Sequence, residues 1–298
     1  MANLKTLKTR IKSVKSTQKM TKAMKMVAAS KLRRAKHLVE LSRPYSAKID
    51  ELITNLAGSI NMSENYDNSF DLLTGRVEPK IHLLVVLSSD RGLCGGLNTS
   101  AVKFAKNHIN SLLSEGKQVK IFCVGKKGYD QLKSSFGDQI IDQVFGIFKN
   151  NIDHNVAAEI SNKIITRFND MEFDVVEVIY SKFKSAIVQE ASIKQIIPIK
   201  SAKDSGVKSL DDSVFDFEPN KEILLSELLP KNIIMQIYNE LLENSASEQG
   251  ARMAAMESAT NNAAKMIKNL TLVYNRTRQA NITRELIDIV SGANAISS

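Results

Sequence analysis

The sequence predicts two long terminal helices wound together as an antiparallel coiled coil, with a three-layer, Rossmann-like α/β domain inserted between them. Three observations carry this. Leu4, Leu7, Ile11 and Val14 open the chain at spacings of 3, 4 and 3, the period of a coiled-coil seam. From about Asn220 to Ile296 a second helical pattern runs with Pro230 as its last proline and Gly250 and Gly292 as its only glycines. Between the two, short apolar runs alternate with amphipathic segments. A helix this long is not held in water by intrinsic propensity, so it needs a partner, and two such helices in one chain serve each other.

The first helix is expected over residues 1–59. Continuing its seam places Gln18, Thr21 and Lys25 after Val14, then Ala28, Leu32, Ala35 and Val39, apolar at both ends and polar in the middle. Asn61 to Pro79 is rich in Asn, Ser and Asp and reads as a linker. The inserted domain is expected over residues 76–218. It begins with a buried strand, Ile81 to Leu87, and the loop Ser88 to Gly96. A helix from about Thr99 to Ser114 follows, then a strand at Val119 to Val124 and a helix near Lys127 to Ser134. An apolar stretch near Ile140 to Ile147 precedes a helix from about Asn155 to Phe168. Val175 to Tyr180 and Ala186 to Ile199 read as paired strands turning near Lys184, and Ser201 to Glu218 as a polar connection. The last helix is expected over residues 220–298. Ile282, Leu286, Ile289, Ala293 and Ile296 repeat the 4, 3 spacing near its end, and Ser245 to Ala264 is rich in small residues that let helix backbones approach.

Bulk composition narrows the function classes. A hydrophobic fraction of 43% with 24% charged residues is that of a globular chain and argues against disorder. No run approaches the roughly 20 apolar residues of a spanning helix. Cys94 and Cys123 stand 29 positions apart without CxxC, which fits a reducing compartment rather than a disulfide scaffold. The basic N-terminus lacks the apolar core of a secretory signal, and its helical pattern begins without a cleavage-like break, so it reads as mature protein. The net charge of +9 is uneven: residues 1–48 hold about 14 Lys or Arg against one acid, Glu40. Three readings of that basic arm stand side by side: phosphate contacts to nucleic acid, a solvated helix face, or a surface turned toward an acidic protein. No aromatic precedes Tyr45, so base stacking is not part of the pattern.

Candidate chemistry is sparse. The loop Asp90 to Gly96 follows a strand and invites a phosphate-binding reading, but it matches neither G-x-G-x-x-G nor G-x-x-x-x-G-K-[ST]. Tight turns and close packing account for Gly92, Gly95 and Gly96, in a structural or partner-contact loop. His37, His82, His108 and His154 show no metal spacing. Cys94 as a nucleophile would need a nearby base.

Four stretches together resemble the gamma subunit of F-type ATP synthases, in the family's order and across nearly the whole chain. They are Ser16 to Ala35 (STQKMTKAMKMVAASKLRRA), Ser88 to Asn98 (SSDRGLCGGLN), Ser247 to Met256 (SEQGARMAAM) and Arg278 to Ala293 (RQANITRELIDIVSGA). The resemblance implies a rotor shaft without catalytic residues, cofactor or metal. Its paired helices would sit in the bore of a catalytic ring of three alpha and three beta subunits. Its α/β domain would bind the epsilon subunit and stand on the membrane's c-ring, so that proton-driven rotation is coupled to ATP synthesis. It implies no nucleic-acid partner, membrane contact only through the c-ring, and a peripheral place on the cytoplasmic face of the bacterial inner membrane.

The resemblance also implies residue roles. Arg278, Gln279, Thr283 and Glu285 match positions that contact a beta loop, and Met24 and Arg252 match positions linked to coupling. Asp90 and Cys94 lie in the stretch placed near the same beta region. The apolar tip Ile282 to Ile296 would turn in an apolar sleeve, and the basic helix would face acidic beta loops. Phe215, Phe217 and Glu218 resemble, more loosely, a foot that contacts the c-ring and epsilon. The paired regulatory cysteines of chloroplast relatives are absent, so thiol regulation is not expected. Gly250 stands where the family's usual small residue follows Ser-Glu-x, a helix-weakening choice of up to about 1 kcal/mol against Ala that suggests a softer shaft. Two other hypotheses are a duplex-binding coiled coil and an α/β enzyme with a ligand near Asp90 to Gly96.

Overall fold

A computed structural model describes residues 4–59, 70–76, 78–149, 152–199 and 220–297. Helix α1 runs Leu4–Ser59, and a short helix α2 covers Asp71–Thr74. Then come β1 (Ile81–Leu87), α3 (Leu97–Ser114), β2 (Gln118–Val124), α4 (Lys126–Phe136), β3 (Ile140–Val144) and α5 (His154–Asn169). Strands β4 (Val175–Phe183) and β5 (Gln189–Ile197) precede the last helix, α6 (Lys221–Ser297). The linker expected before residue 79 contains helix α2, and the apolar stretch after Ile140 resolves into an edge strand. The chain divides into two compact units, residues 29–252 and residues 1–28 with 253–298.

The larger unit is built on a five-stranded sheet in the order β3-β2-β1-β4-β5. The β1–β2, β1–β4 and β2–β3 pairs are parallel and β4–β5 is antiparallel. Strand β1 is apolar at nearly every position because the middle strand of such a sheet is covered on both faces. Alternation along it splits the core. Leu84 and Val86 pack with Val102, Ile109 and Leu132 of α3 and α4. Leu83, Val85 and Leu87 pack with Ile160 and Ile164 of α5, Ile233 and Leu241 of α6, and Ile53 and Leu56 of α1. Three layers result.

Within this unit α1 and α6 run antiparallel. Asp50 accepts from Asn232 at 2.7 Å, Ser46 meets Asn239, and Arg43 lies 3.8 Å from Glu243. From Leu32 to Leu56 the buried positions of α1 keep the 3, 4 spacing through Ala35, Val39, Ser42, Ile49 and Ile53. On α6, by contrast, residues 232–251 are buried on almost every side, because the helix lies between α1 and the sheet.

In the smaller unit the same two helices pair antiparallel. The Thr21 and Thr260 hydroxyls are 2.8 Å apart, and Lys25 is 2.6 Å from Glu257. Leu7, Thr21 and Ala28 are buried on α1, and Met256 and Ala263 on α6. Half-buried Ile267, Leu270, Tyr274 and Thr277 continue the α6 seam. Counting 17 residues back from Thr21 brings Leu4 opposite Thr277 (260 plus 17). The spacing of Ile282, Leu286, Ile289 and Ala293 therefore does not serve this coiled coil. Residues 278–293 run past the start of α1, and their side chains are exposed.

Candidate functional site

The loop after β1 is a constructed turn. Ser88 Oγ donates to Gly125 O at 3.1 Å and accepts from Gly128 N at 2.8 Å. Gly125 has φ of 105°, and a Cβ there would stand 2.1 Å from Ser88 O, so only glycine fits. Ser89 N donates to Asn98 Oδ1 at 3.0 Å. The Asp90 carboxylate accepts from the main-chain N–H groups of Gly146 (2.9 Å), Phe148 (3.2 Å) and Lys126 (3.3 Å). Asp90 thus ties the loop after β1 to the start of α4 and to the segment that follows β3. Cys94 is 1% exposed, packed with Leu97 and Ala251, and its sulfur accepts from Asn98 Nδ2 at 3.2 Å. The close packing expected at Gly92, Gly95 and Gly96 is not there. A Cβ at Gly92 or Gly95 meets nothing, and at Gly96 only Ser100 Oγ at 4.0 Å. Gly95 alone of the three needs its freedom, at φ of 60°.

Helix α6 crosses the carboxyl ends of β1 and β4, where the strand order reverses and where open α/β sheets receive their ligands. Arg252 reaches over the β1 loop, 3.4 Å from Arg91 O and 3.3 Å from Gly92 O, and pairs with Glu248 at 2.7 Å. Glu248 is 3% exposed, and its Oε2 lacks a hydrogen-bond partner among the described residues. Burial pushes its carboxyl pKa up, Asp90 adds to that, and Arg252 and Lys31 offset it only in part. Next to Glu248, Ser247 Oγ donates to Ser181 O at 2.7 Å, and one turn before Glu248 the Asn244 Oδ1 accepts from Ser181 N at 3.3 Å. Glu243 Oε2 accepts from Phe183 N at 3.0 Å. Glu240 receives Lys194 Nζ at 2.9 Å, and burial likewise raises its pKa despite that cation and the Tyr180 hydroxyl. Tyr180 is raised as well, by burial and by the nearness of Glu240.

The residues singled out in sequence fall in separate places. Arg252 lies over the loop that holds Asp90 and the buried Cys94, with its guanidinium on Arg91 O and Gly92 O and Cys94 packed against Ala251. Met24 is 37% exposed on α1, beside the Thr21–Thr260 seam. Arg278, Gln279, Thr283 and Glu285 are exposed on α6, where Thr283 Oγ donates to Gln279 O at 3.0 Å. The apolar side chains of Ile282, Leu286, Ile287, Ile289 and Val290 are exposed beside them. Phe215, Phe217 and Glu218 lie outside the described residues. Sequence reasoning missed Glu240, Glu243, Asn244, Ser247 and Glu248. Their signal is a polar stripe at helical spacing on a helix that is apolar on its other faces from Leu224 to Leu242.

Comparison with known proteins agrees along the whole chain. A family model described as ATP synthase matches residues 3–296. The ATP synthase gamma chain of Pelagibacter ubique is 50% identical over 296 residues, covering 99% of this chain and 100% of its own. That of Methylorubrum populi is 49% identical over 298 residues, with the same coverage. Among solved structures, the central stalk and c-ring of Tetrahymena thermophila mitochondrial ATP synthase supplies a chain with a TM-score of 0.61 and 29% identity. That match covers 80% of this chain and 99% of the other. A chain of the Euglena gracilis mitochondrial enzyme shares the fold, with a TM-score of 0.66 at 19% identity over 98% of this chain and 94% of its own.

Proposed function

This chain belongs to the ATP synthase gamma-chain family, and from that premise we infer that it turns as the enzyme's central shaft without a catalytic site of its own. It is a subunit of the complex. Rotation of the membrane c-ring would turn the α/β domain, and the paired helices would carry that motion into the ring of alpha and beta subunits, where ATP is made. The reverse motion would follow hydrolysis.

One observation supports the non-catalytic reading more than any other. The crevice where an open α/β sheet takes a nucleotide is covered by the chain's own helix α6. The polar groups there are already engaged within the chain: Arg252 pairs with Glu248 at 2.7 Å, and the Asp90 carboxylate accepts from three main-chain N–H groups. The far end of α6 supports the shaft reading: its exposed apolar side chains suit a bore that needs shape more than specific bonds. Arg278, Gln279, Thr283, Glu285 and Met24 are accessible for contact with a surrounding ring. Asp90 and Cys94 act from beneath, by holding the 88–98 loop. The exposed basic residues of α1 suit an acidic protein ring. No described helix is long and apolar enough to cross a membrane. The chain is peripheral to it, and we place it on the cytoplasmic face of a bacterial inner membrane, touching the bilayer only through the c-ring.

The test is recovery of the tagged chain from its native membranes in mild detergent. Alpha, beta and epsilon subunits in three to three to one proportion with the bait are expected. A bait that returns alone, or with nucleic acid, sinks the shaft assignment and leaves the fold untouched.

A further inference from the structure

We infer, resting on the shaft reading above, that Glu243, Asn244 and Ser247 are positioning residues that fasten α6 to the main chain of β4, so that torque passes between the α/β domain and the shaft through α6. The last pairing of β1 with β4 is Val86 to Ile179. Beyond it, β4 continues to Phe183, paired with β5 on one side and presenting main-chain groups with no strand on its β1 side. Helix α6 takes the place of that strand. Ser247 Oγ donates to Ser181 O, Asn244 Oδ1 accepts from Ser181 N, and Glu243 Oε2 accepts from Phe183 N. All three bonds end on main-chain atoms, which cannot swing away by changing rotamer as a partner side chain can. Gly250 lets β4 and its turn lie close, since a Cβ there would stand 2.9 Å from Phe183 Cε2 and 3.4 Å from Ala186 Cα.

A helix that needed only to pack would carry apolar groups at these positions. Instead Asn244 and Ser247 are fully buried, and Asn244 Nδ2 lacks a hydrogen-bond partner among the described residues, a desolvation penalty accepted to keep its oxygen on Ser181. The polar ties of α1 described above run to α6: Arg43 to Glu243, Ser46 to Asn239 and Asp50 to Asn232. In this arrangement α6 is tied to the sheet by main-chain hydrogen bonds, whereas α1 meets the sheet by apolar packing at Ile53 and Leu56 and is tied to α6 by these polar groups.

The experiment uses the whole complex in sealed vesicles, measuring ATP hydrolysis and ATP-driven proton pumping side by side. The double variant Asn244→Ala/Ser247→Ala should hydrolyse ATP at the normal rate while protons pumped per ATP fall at least about twofold. Amide exchange at Ser181 should be about fivefold faster, the effect of one lost hydrogen bond. Glu243→Ala should follow it, whereas Glu243→Gln, which keeps the acceptor for Phe183 N, should restore pumping. If the double variant is not recovered in the complex, Ser247→Ala alone decides by the same ratio. Unchanged pumping per ATP alongside faster exchange at Ser181 overturns the inference. A wild-type complex that fails to pump would instead overturn the shaft reading beneath it.

Discussion

Replacing Gly250 with Ala sets two opposed effects against each other, and the structure decides the sign. Inside a helix Ala is favoured over Gly by about 1 kcal/mol, so propensity alone predicts a more stable protein. The added methyl would stand 2.9 Å from Phe183 Cε2, closer than carbon atoms pack, and 3.4 Å from Ala186 Cα. The ring must move, and it is held at the end of β4 with the Lys36 ammonium 5.2 Å from its centroid. Overpacking of this kind costs about 1–3 kcal/mol. The net expectation is a loss of about 1 kcal/mol, read as a lower urea midpoint at unchanged slope. In a Phe183→Ala background the main obstacle is gone, and Gly250→Ala should then stabilise by up to about 1 kcal/mol. A Gly250→Ala variant that is more stable in the wild-type background would refute the close-approach account. It would restore the reading of Gly250 as a soft point in the helix.

Glu177 carries a pH dependence. Burial raises its pKa, but hydrogen bonds from His108 at 2.9 Å and His82 at 3.4 Å, with their charge, bring it down from 4.5 to about 2. A pKa lowered by folding stabilises above the unfolded value and loses that stability as pH falls from about 4.5 to 2. Glu177→Gln should therefore destabilise by roughly 2 kcal/mol at pH 7, allowing for solvent screening, with the gap closing over that window. An equal gap at pH 7 and pH 3 in urea titrations would contradict this. Gly125→Ala combines a left-handed backbone with a Cβ 2.1 Å from Ser88 O, and should lose at least about 3 kcal/mol or fail to yield soluble protein. A well-behaved alanine variant would show that the Ser88 turn is looser than described. Cys94 and Cys123 are both buried, and burial pushes the Cys123 thiol up to about 12, so a thiol reagent should label neither until denaturant is added. Rapid labelling of the native protein would place one of them at the surface.

The helices and strands were legible because their signals are local. Leu4 to Val39 announce the α1 seam by spacing alone, and Ser42, Ile49, Ile53 and Leu56 continue it. Ile81 to Leu87 could be read as a doubly covered strand from its apolar run, broken only by His82. Spacing fails where two surfaces claim one helix. From 232 to 251 α6 meets α1 on one side and the sheet on the other, so it has no solvent face to give a period. Its small residues Ser247, Gly250 and Ala251 serve the sheet and the β1 loop. Glu240 gave no local signal because its partner Lys194 lies 46 residues away, and the Glu248–Arg252 pair has the i, i+4 spacing of any exposed helix face. Ile282, Leu286, Ile289 and Ala293 show a limit of spacing of another kind: it marks one apolar face of a helix, but these side chains are exposed, so the period alone does not say what covers them.

The most direct test fixes the alpha and beta ring to a surface and attaches a bead to the α/β domain of this chain, away from α6. With ATP supplied, the account predicts rotation of the bead in one direction, with hydrolysis arrested when the bead is held still. Steady hydrolysis under a bead that does not turn, or that turns in both directions equally, would contradict it.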